Sequence, residues 1–282
     1  MAIKLIIDSA SDISCDKANE MGLIHLPIII SFDGKEYKDG QDLTPDLFFE
    51  KLIESDSMPT TSQISPTIYE EAFTKVLENG DTPVAITLSS KLSGTYQSAC
   101  IANEAVDGKA YVVDSLNASL GEAILIQYAV SLVNSGVSVD ELVDELNSAK
   151  EKIHVLALLE TLEYLKRGGR ISKTVALAGS LLSIKPVISI EQGEVALAGK
   201  ARGSKNANNL LAELISKCGE VDFSKPFTLA FSGSDGSVLN KYVEDSRQFW
   251  EHGTSSLPIL KIGATIGTHI GPGAIGVAFF SK

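Results

Sequence analysis

Val84-Ala85-Ile86-Thr87-Leu88-Ser89-Ser90-Lys91-Leu92-Ser93-Gly94-Thr95-Tyr96, residues 84–96, runs from an apolar stretch through hydroxyls and a glycine into a helix start. Val84–Leu88 reads as a buried strand and Thr95–Ala105 as the helix that follows it. The same alternation extends outward. Lys4–Ile7 is a short buried strand, and Ile24–Phe32 is a second, ending at the Asp33-Gly34 turn. Thr44-Pro45 and Ser65-Pro66 each place a capping side chain before a proline at the first helical position, so helices start near Pro45 and Pro66. Tyr111–Asp114 is a strand, Ala118–Val133 a long helix, and Ser138 with Glu141 makes a capping box for a helix reaching about Lys152. This order predicts an α/β fold whose N-terminal part is a largely parallel sheet with helices on both faces.

The texture changes after about residue 153. His154–Leu159 is a strand, and Thr161–Lys166 a short helix stopped by Gly168-Gly169. Ser172–Ile184 is apolar or small all round, which predicts burial. Val187–Glu191 and Glu194–Ala198 flank Gln192-Gly193 as a hairpin. Helices follow at Lys205–Cys218 and Ser237–His252, with strands at Phe227–Phe231, Ile259–Ala264 and Ile275–Phe280. The chain of 282 residues exceeds an average domain. The reading is two domains, 1–152 and 153–282, the second an α/β domain with a mixed sheet.

Composition excludes several functions. Hydrophobic content is 44% and charged content 21%, a globular mix. The formal charge of −12 repels phosphate backbones and anionic lipid, so neither nucleic acid nor a membrane surface is expected as a partner. No run approaches the roughly 18 apolar residues of a membrane span, so no stable membrane insertion is expected. The N-terminal apolar run is too short for a signal-peptide core. Cys15, Cys100 and Cys218 form neither a CxxC pair nor a disulfide framework, which fits a reducing cytoplasm and a packing role. Four scattered histidines make no metal site, and His25, His154 and His252 read as structural.

Three hydroxyl-rich segments fall where strands should end: Asp8–Asp12, Pro59–Gln63 and Ser89–Tyr96. In open α/β sheets those loops form the ligand crevice. At the third, backbone N–H groups and the positive end of a helix dipole would face that crevice, an anion site; helix capping by Ser93 or Thr95 is the plainer alternative. Gly267–Gly276 contains a literal G-x-G-x-x-G, but a strand follows it and the chain ends at Lys282, so it is no dinucleotide fingerprint. It reads as a tight glycine loop that fixes His269. Leu165–Ser172 concentrates Lys166, Arg167 and Arg170 on a glycine turn, which suits an acidic partner or phosphate; helix C-capping explains Lys166 and Arg167 but Arg170 less well.

Six segments taken together resemble the DegV family, the bacterial fatty-acid-binding proteins that serve as the B subunit of fatty acid kinase. They are Asp8-Ser9-x-x-Asp12-Ile13, Pro59-x-Thr61-Ser62-Gln63-x-Ser65-Pro66, Leu92-Ser93-Gly94-Thr95-Tyr96, Tyr164-Leu165-x-Arg167-Gly168-Gly169-Arg170-Ile171, Lys185-Pro186 and His269-x-Gly271-Pro272-Gly273. The resemblance implies a long-chain fatty acid buried between two domains, with no other cofactor. It implies a carboxylate held by the hydroxyls of Thr61 and Ser93, the N–H of Gly94 and the ring of His269, with Ser62, Thr95 and Gly271 supporting. It further implies a separate ATP-binding kinase subunit related to dihydroxyacetone kinases, an acyltransferase that uses the acyl phosphate for phospholipid synthesis, and Arg170 and Arg202 facing the partner. No residue of this chain is then catalytic by itself. Consistent with that, the sequence has no GxxxxGK[ST] loop for ATP. Two rivals stay open at this level: an esterase or lipase with Ser93 as nucleophile and His269 as base, and a binding module for another small anion. Ser93 lacks the G-x-S-x-G elbow of the first.

Overall fold

A computed structural model describes residues 2–171, 184–250 and 257–282. Strands β1 (Ile3–Asp8), β2 (Ile24–Leu26), β6 (Thr82–Thr87) and β7 (Tyr111–Asp114) form a parallel sheet in the order β2-β1-β6-β7. Every residue of β6 after Thr82 is buried, as a strand covered on both faces requires. Strands β3 (Ile29–Phe32), β4 (Lys35–Lys38) and β5 (Thr60–Ser62) form a small antiparallel sheet in the order β4-β3-β5. The remaining strands are β8 (Ile153–Leu158), β9 (Ile184–Glu191), β10 (Glu194–Arg202), β11 (Thr228–Phe231), β12 (Ile259–Lys261) and β13 (Ile275–Phe280). They make a six-stranded mixed sheet, β10-β9-β8-β13-β11-β12, antiparallel throughout except for β11 with β12.

The period-2 alternation of β8 divides its neighbours. Leu156 and Leu158 pack with Leu211 and Ile215 of the helix Ser204–Lys217 on one face. Val155 on the other face joins the large apolar cluster that also contains Leu5, Ile86 and Ile124 of the parallel-sheet layer. The two sheets thus share a core, and the space between them is the one that matters for function.

Several sequence expectations need correction. Ile24–Phe32 is two strands, because Pro27 has no N–H to donate to a ladder and the chain turns there into a second sheet. Ile28 N–H instead donates to Ser9 Oγ at 3.0 Å. Pro59–Gln63 is not a loop at a strand end: Thr60–Ser62 is itself an edge strand, pairing with Ile29–Ser31. Thr44 caps its helix through Leu47 N–H, whereas Ser65 makes no side-chain cap. The helix expected over Ser237–His252 ends at Asp245, and a short turn of helix, Arg247–Trp250, follows; His252 lies outside the described residues. Residues 172–183 also lie outside them, so the burial expected for that segment has no structural counterpart here. The strand expected over Ile259–Ala264 stops at Lys261, and Ala264–Ile270 is a helix.

Among the described residues no helix is long and apolar enough to cross a membrane, and no group of ligands is able to hold a metal ion. Cys15, Cys100 and Cys218 are free and half-buried. His154 packs structurally, its Nε2 3.2 Å from Ser281 Oγ, and His25 Nδ1 lies 3.6 Å from Cys15 Sγ.

One core feature conflicts with ordinary packing. Glu122, in the helix Leu120–Ser135, is fully buried beside the Asp8 carboxyl, to which it can give its proton, and among the described residues no donor serves either of its oxygens. Burial first, then the charges of Asp8 and Asp12, push its carboxyl well above the ordinary 4.5. A carboxyl raised in the folded state contributes its full stability below that value and loses it as pH rises. Glu122→Gln is therefore expected to gain stability over the parent at about pH 8 and to gain less at about pH 5, by up to ~1.4 kcal/mol per pH unit. Urea unfolding at both pH values checks this; a variant equally destabilised at both is inconsistent with a buried, uncompensated acid.

Candidate functional site

The parallel strands end in loops that line one side of a cavity: Ile28 after β2, Leu88, Leu92 and Ser93 after β6, and Ala118 to Leu120 after β7. This is the carboxyl-end crevice expected of such a sheet. Val155, Ala157, Ile188 and Gly276 of the mixed sheet close the other side. The cavity holds about 980 Å³ of empty space, counting the part open to solvent. The part of it that a water-sized sphere can enter is about 110 Å³, below the roughly 300–1,000 Å³ typical of small-molecule sites. Most of its walls are aliphatic.

Polar groups gather at one end. Thr61, on the edge strand β5, places Oγ1 3.1 Å from His269 Nε2, across 208 residues of sequence. Ser93 lines the same end, its Oγ 3.1 Å from Thr95 Oγ1 and accepting Thr95 N–H at 3.2 Å. Gly94 precedes the helix Thr95–Ala105, and no side chain caps that helix from Gly94. Thr95 N–H is taken by Ser93 Oγ, so the dipole and the remaining first-turn amides are what this helix start offers an anion. Ser62 also lines the cavity. Thr95 is fully buried behind Ser93, where its Oγ1 accepts Ile64 N–H at 3.3 Å. Gly271 ends the helix that carries His269 and offers its carbonyl to Ser232 Oγ at 2.7 Å, a supporting place rather than a lining one.

The sequence set the Arg170 turn apart from the hydroxyl segments. The fold brings them together: Arg170 Nε donates to Leu92 O at 3.2 Å, Nη1 donates to Gly168 O at 2.7 Å, and the side chain lines the cavity. Arg202, exposed at the end of β10, is not among the lining residues. The glycine of that turn is also explained. A Cβ on Gly168 would collide with His269 Nδ1, so the turn backs directly onto the imidazole. Burial, then the Arg170 guanidinium, lowers the His269 pKa to about 4, leaving the ring neutral at physiological pH. Among the described residues its Nδ1 has no hydrogen-bond partner. His269 faces Thr61, not Ser93, and among the described residues no carboxylate orients it.

A family profile described as "Uncharacterised protein, DegV family" matches residues 2–282. The chain belongs to the DegV family. A DegV domain-containing protein of Caldanaerobacter subterraneus subsp. tengcongensis is 36% identical over 286 residues, covering 99% of both chains. Among solved structures, a DegV family protein from Thermus thermophilus, described by its fatty acid binding, superimposes with a TM-score of 0.90 at 32% identity over 100% of both chains. A stearic-acid-binding protein from Eubacterium ventriosum gives 0.89 at 27% identity, covering 100% of this chain and 99% of that one. These DegV neighbours share the fold described above.

What positions His269 in this DegV-family chain was not read from the sequence. His269 sits in the last turn of the helix Ala264–Ile270, not on a glycine loop as expected. The N-terminus of that helix is held by two buried acids. Asp39 accepts Ala264 N–H at 3.1 Å, Thr265 N–H at 3.2 Å and Thr265 Oγ1–H at 2.5 Å. Asp12 accepts Gly263 N–H at 2.7 Å and the Ser119 hydroxyl. Burial raises both carboxyls, that of Asp12 to about 8. Gln63 was quoted only as part of a motif; it lines the cavity and donates to Ser98 Oγ at 3.1 Å, tying β5 to the Gly94 helix. The Asp39-Gly40 pair reads as a turn, and its partners lie 225 residues away, so no local pattern exposes it.

Asp39→Ala leaves three buried donors without their acceptor. The loss expected is about 1–3 kcal/mol of stability for each donor left unsatisfied. The His269 ring resonances should shift with it. Chemical denaturation and imidazole NMR check this; unchanged ring resonances would mean that Asp39 does not set the position of His269.

Proposed function

We propose that this chain binds one long-chain fatty acid in the cavity between its parallel and mixed sheets and presents the carboxylate to a separate ATP-dependent kinase. The observation that carries this is a largely aliphatic cavity with a polar end, where Thr61, Ser93, the Gly94 helix N-terminus, His269 and Arg170 converge. Burying about fifteen methylenes at ~0.8 kcal/mol each contributes a gross ~12 kcal/mol before ordering costs. A carboxylate enters such a site only with several donors, and the polar end supplies them. In this reading residues 1–152 and 153–282 are the two domains that enclose the acyl chain. The fatty acid is the ligand, no cofactor is required, and the setting is cytoplasmic.

Arg170, by its contacts, belongs with the carboxylate end, while the exposed Arg202 remains the partner-facing candidate. The partner proposed is the dihydroxyacetone-kinase-like ATP-binding subunit, whose acyl phosphate product an acyltransferase then consumes. The missing phosphate loop supports a separate source of ATP. The esterase reading finds less support. His269 Nε2 pairs with Thr61 rather than with Ser93, and Ser93 is engaged with Thr95. A triad needs nucleophile, base and orienting acid in contact.

Organic extraction of the purified protein followed by mass spectrometry is expected to release close to one fatty acid per chain; none, at any loading, sinks the lipid reading. Ser93→Ala removes one charge-assisted hydrogen bond of roughly 1.5–3 kcal/mol, so fatty-acid affinity should fall about tenfold or more. A fluorophosphonate probe should leave Ser93 unlabelled, and labelling that depends on His269 would establish a hydrolase instead. Calorimetry with ATP and no partner should show no micromolar binding.

A further inference from the structure

Away from its polar end the cavity extends toward the β9–β10 hairpin, walled there by Leu120, Val155, Ala157, Ile188, Ile190 and Val195. Beyond the hairpin lies a second, polar cleft that contains Lys150, Glu151, Glu191 and Glu194. Ile190 and Val195 line both spaces. They are direct cross-strand partners in the antiparallel register, so their side chains stand together on one face. The adjoining Glu191 and Glu194, partners in the next pair, are exposed. The hairpin tip is fixed: Gln192 and Gly193 take positive φ, Ser89 Oγ donates to Gly193 O at 2.7 Å, and Gly193 is buried against Ser89 and Leu116. Two aliphatic side chains on an anchored hairpin therefore separate an apolar tunnel from a charged, wet cleft.

We propose that the Ile190–Val195 pair is the stop for the methyl end of the bound acyl chain and sets the longest chain accepted. This stop presupposes the fatty acid proposed above. The alternative arm of the cavity, past Ile262 and Thr265, ends at the Thr265 hydroxyl and the buried Asp39 carboxyl, a poor place for a terminal methyl. The substrate class follows: acids whose far end is a plain hydrocarbon. An ω-hydroxy acid or a dicarboxylic acid would bring a polar group against Ile190 and Val195, where the neighbouring Ser189 hydroxyl is already given to Glu191.

Affinity for a ladder of straight-chain saturated acids tests the stop. In the parent protein each added methylene should improve affinity about fourfold until the chain meets the pair, after which affinity falls. Ile190→Ala and Val195→Ala should each move that turning point to longer acids, and Val195→Phe should move it to shorter ones. The opposed directions separate a stop from mere damage to the fold. If the turning point stays in place in all three variants, or if each loses affinity equally at every length, the pair is structural and the proposal is overturned. If the parent binds no acid of any length, the fatty-acid reading itself fails, and a ladder of dicarboxylic acids binding as well as the monoacids removes the substrate class.

Discussion

The N–H groups of Gly263, Ala264 and Thr265 are held by the buried carboxyls of Asp12 and Asp39, and the polar end of the cavity depends on that attachment. A seven-residue helix is too short to be stable from its own hydrogen bonds. It stands because its first turn is bonded to loops of the N-terminal half and because Gly267 packs against Phe48 and Phe49. His269 at its far end then meets Thr61 from the small antiparallel sheet and Gly168 from the basic turn. Three separate pieces of chain, its own helix among them, converge on one imidazole.

The same acids explain why a chain with charge −12 keeps carboxyls in its interior. Asp12 and Asp39 accept backbone donors that would otherwise be orphaned, and Asp8 does the same for Ala10 N–H and Leu88 N–H. Desolvation raises all three, Asp8 to about 7. Asp12, in the loop after β1, and Asp39 bond to the helix start late in the chain, while Asp8 bonds within the parallel-sheet layer. They join the layers of the fold with directional contacts, where apolar packing alone would allow sliding.

How much of this was legible in the sequence depends on range. The parallel sheet came through because β6 and the helix after it, Thr95–Ala105, are a local pattern, and the capping box at Ser138 names its own partner. The break at Pro27 was visible as a residue, but the second sheet it leads to requires β5, a strand of only three hydroxyl-bearing residues with no apolar signal. The helix carrying His269 was missed for a related reason. Gly263, Gly267 and Gly271 look like breakers, whereas in the fold Gly263 precedes the helix, Gly267 gives room to two phenylalanines and Gly271 terminates it. Arg170 was set apart from the pocket because nothing in sequence brings residue 170 to the carbonyl of residue 92.

The charge arrangement at the polar end bears on what kind of chemistry it suits. A neutral His269, held near a pKa of 4 by burial and by Arg170, donates a hydrogen bond without adding a full positive charge beside the ligand. An imidazolium there would bind a carboxylate more tightly but would also withdraw electron density from its oxygens. Arg170 supplies the positive charge, and two of its five N–H donors go to Leu92 O and Gly168 O, which fix the guanidinium in place. A base that must accept a proton from Ser93 needs the opposite: contact with the hydroxyl, a pKa near neutrality and an acid behind it. His269 has none of these among the described residues. The arrangement suits holding an anion better than generating a nucleophile from the protein itself.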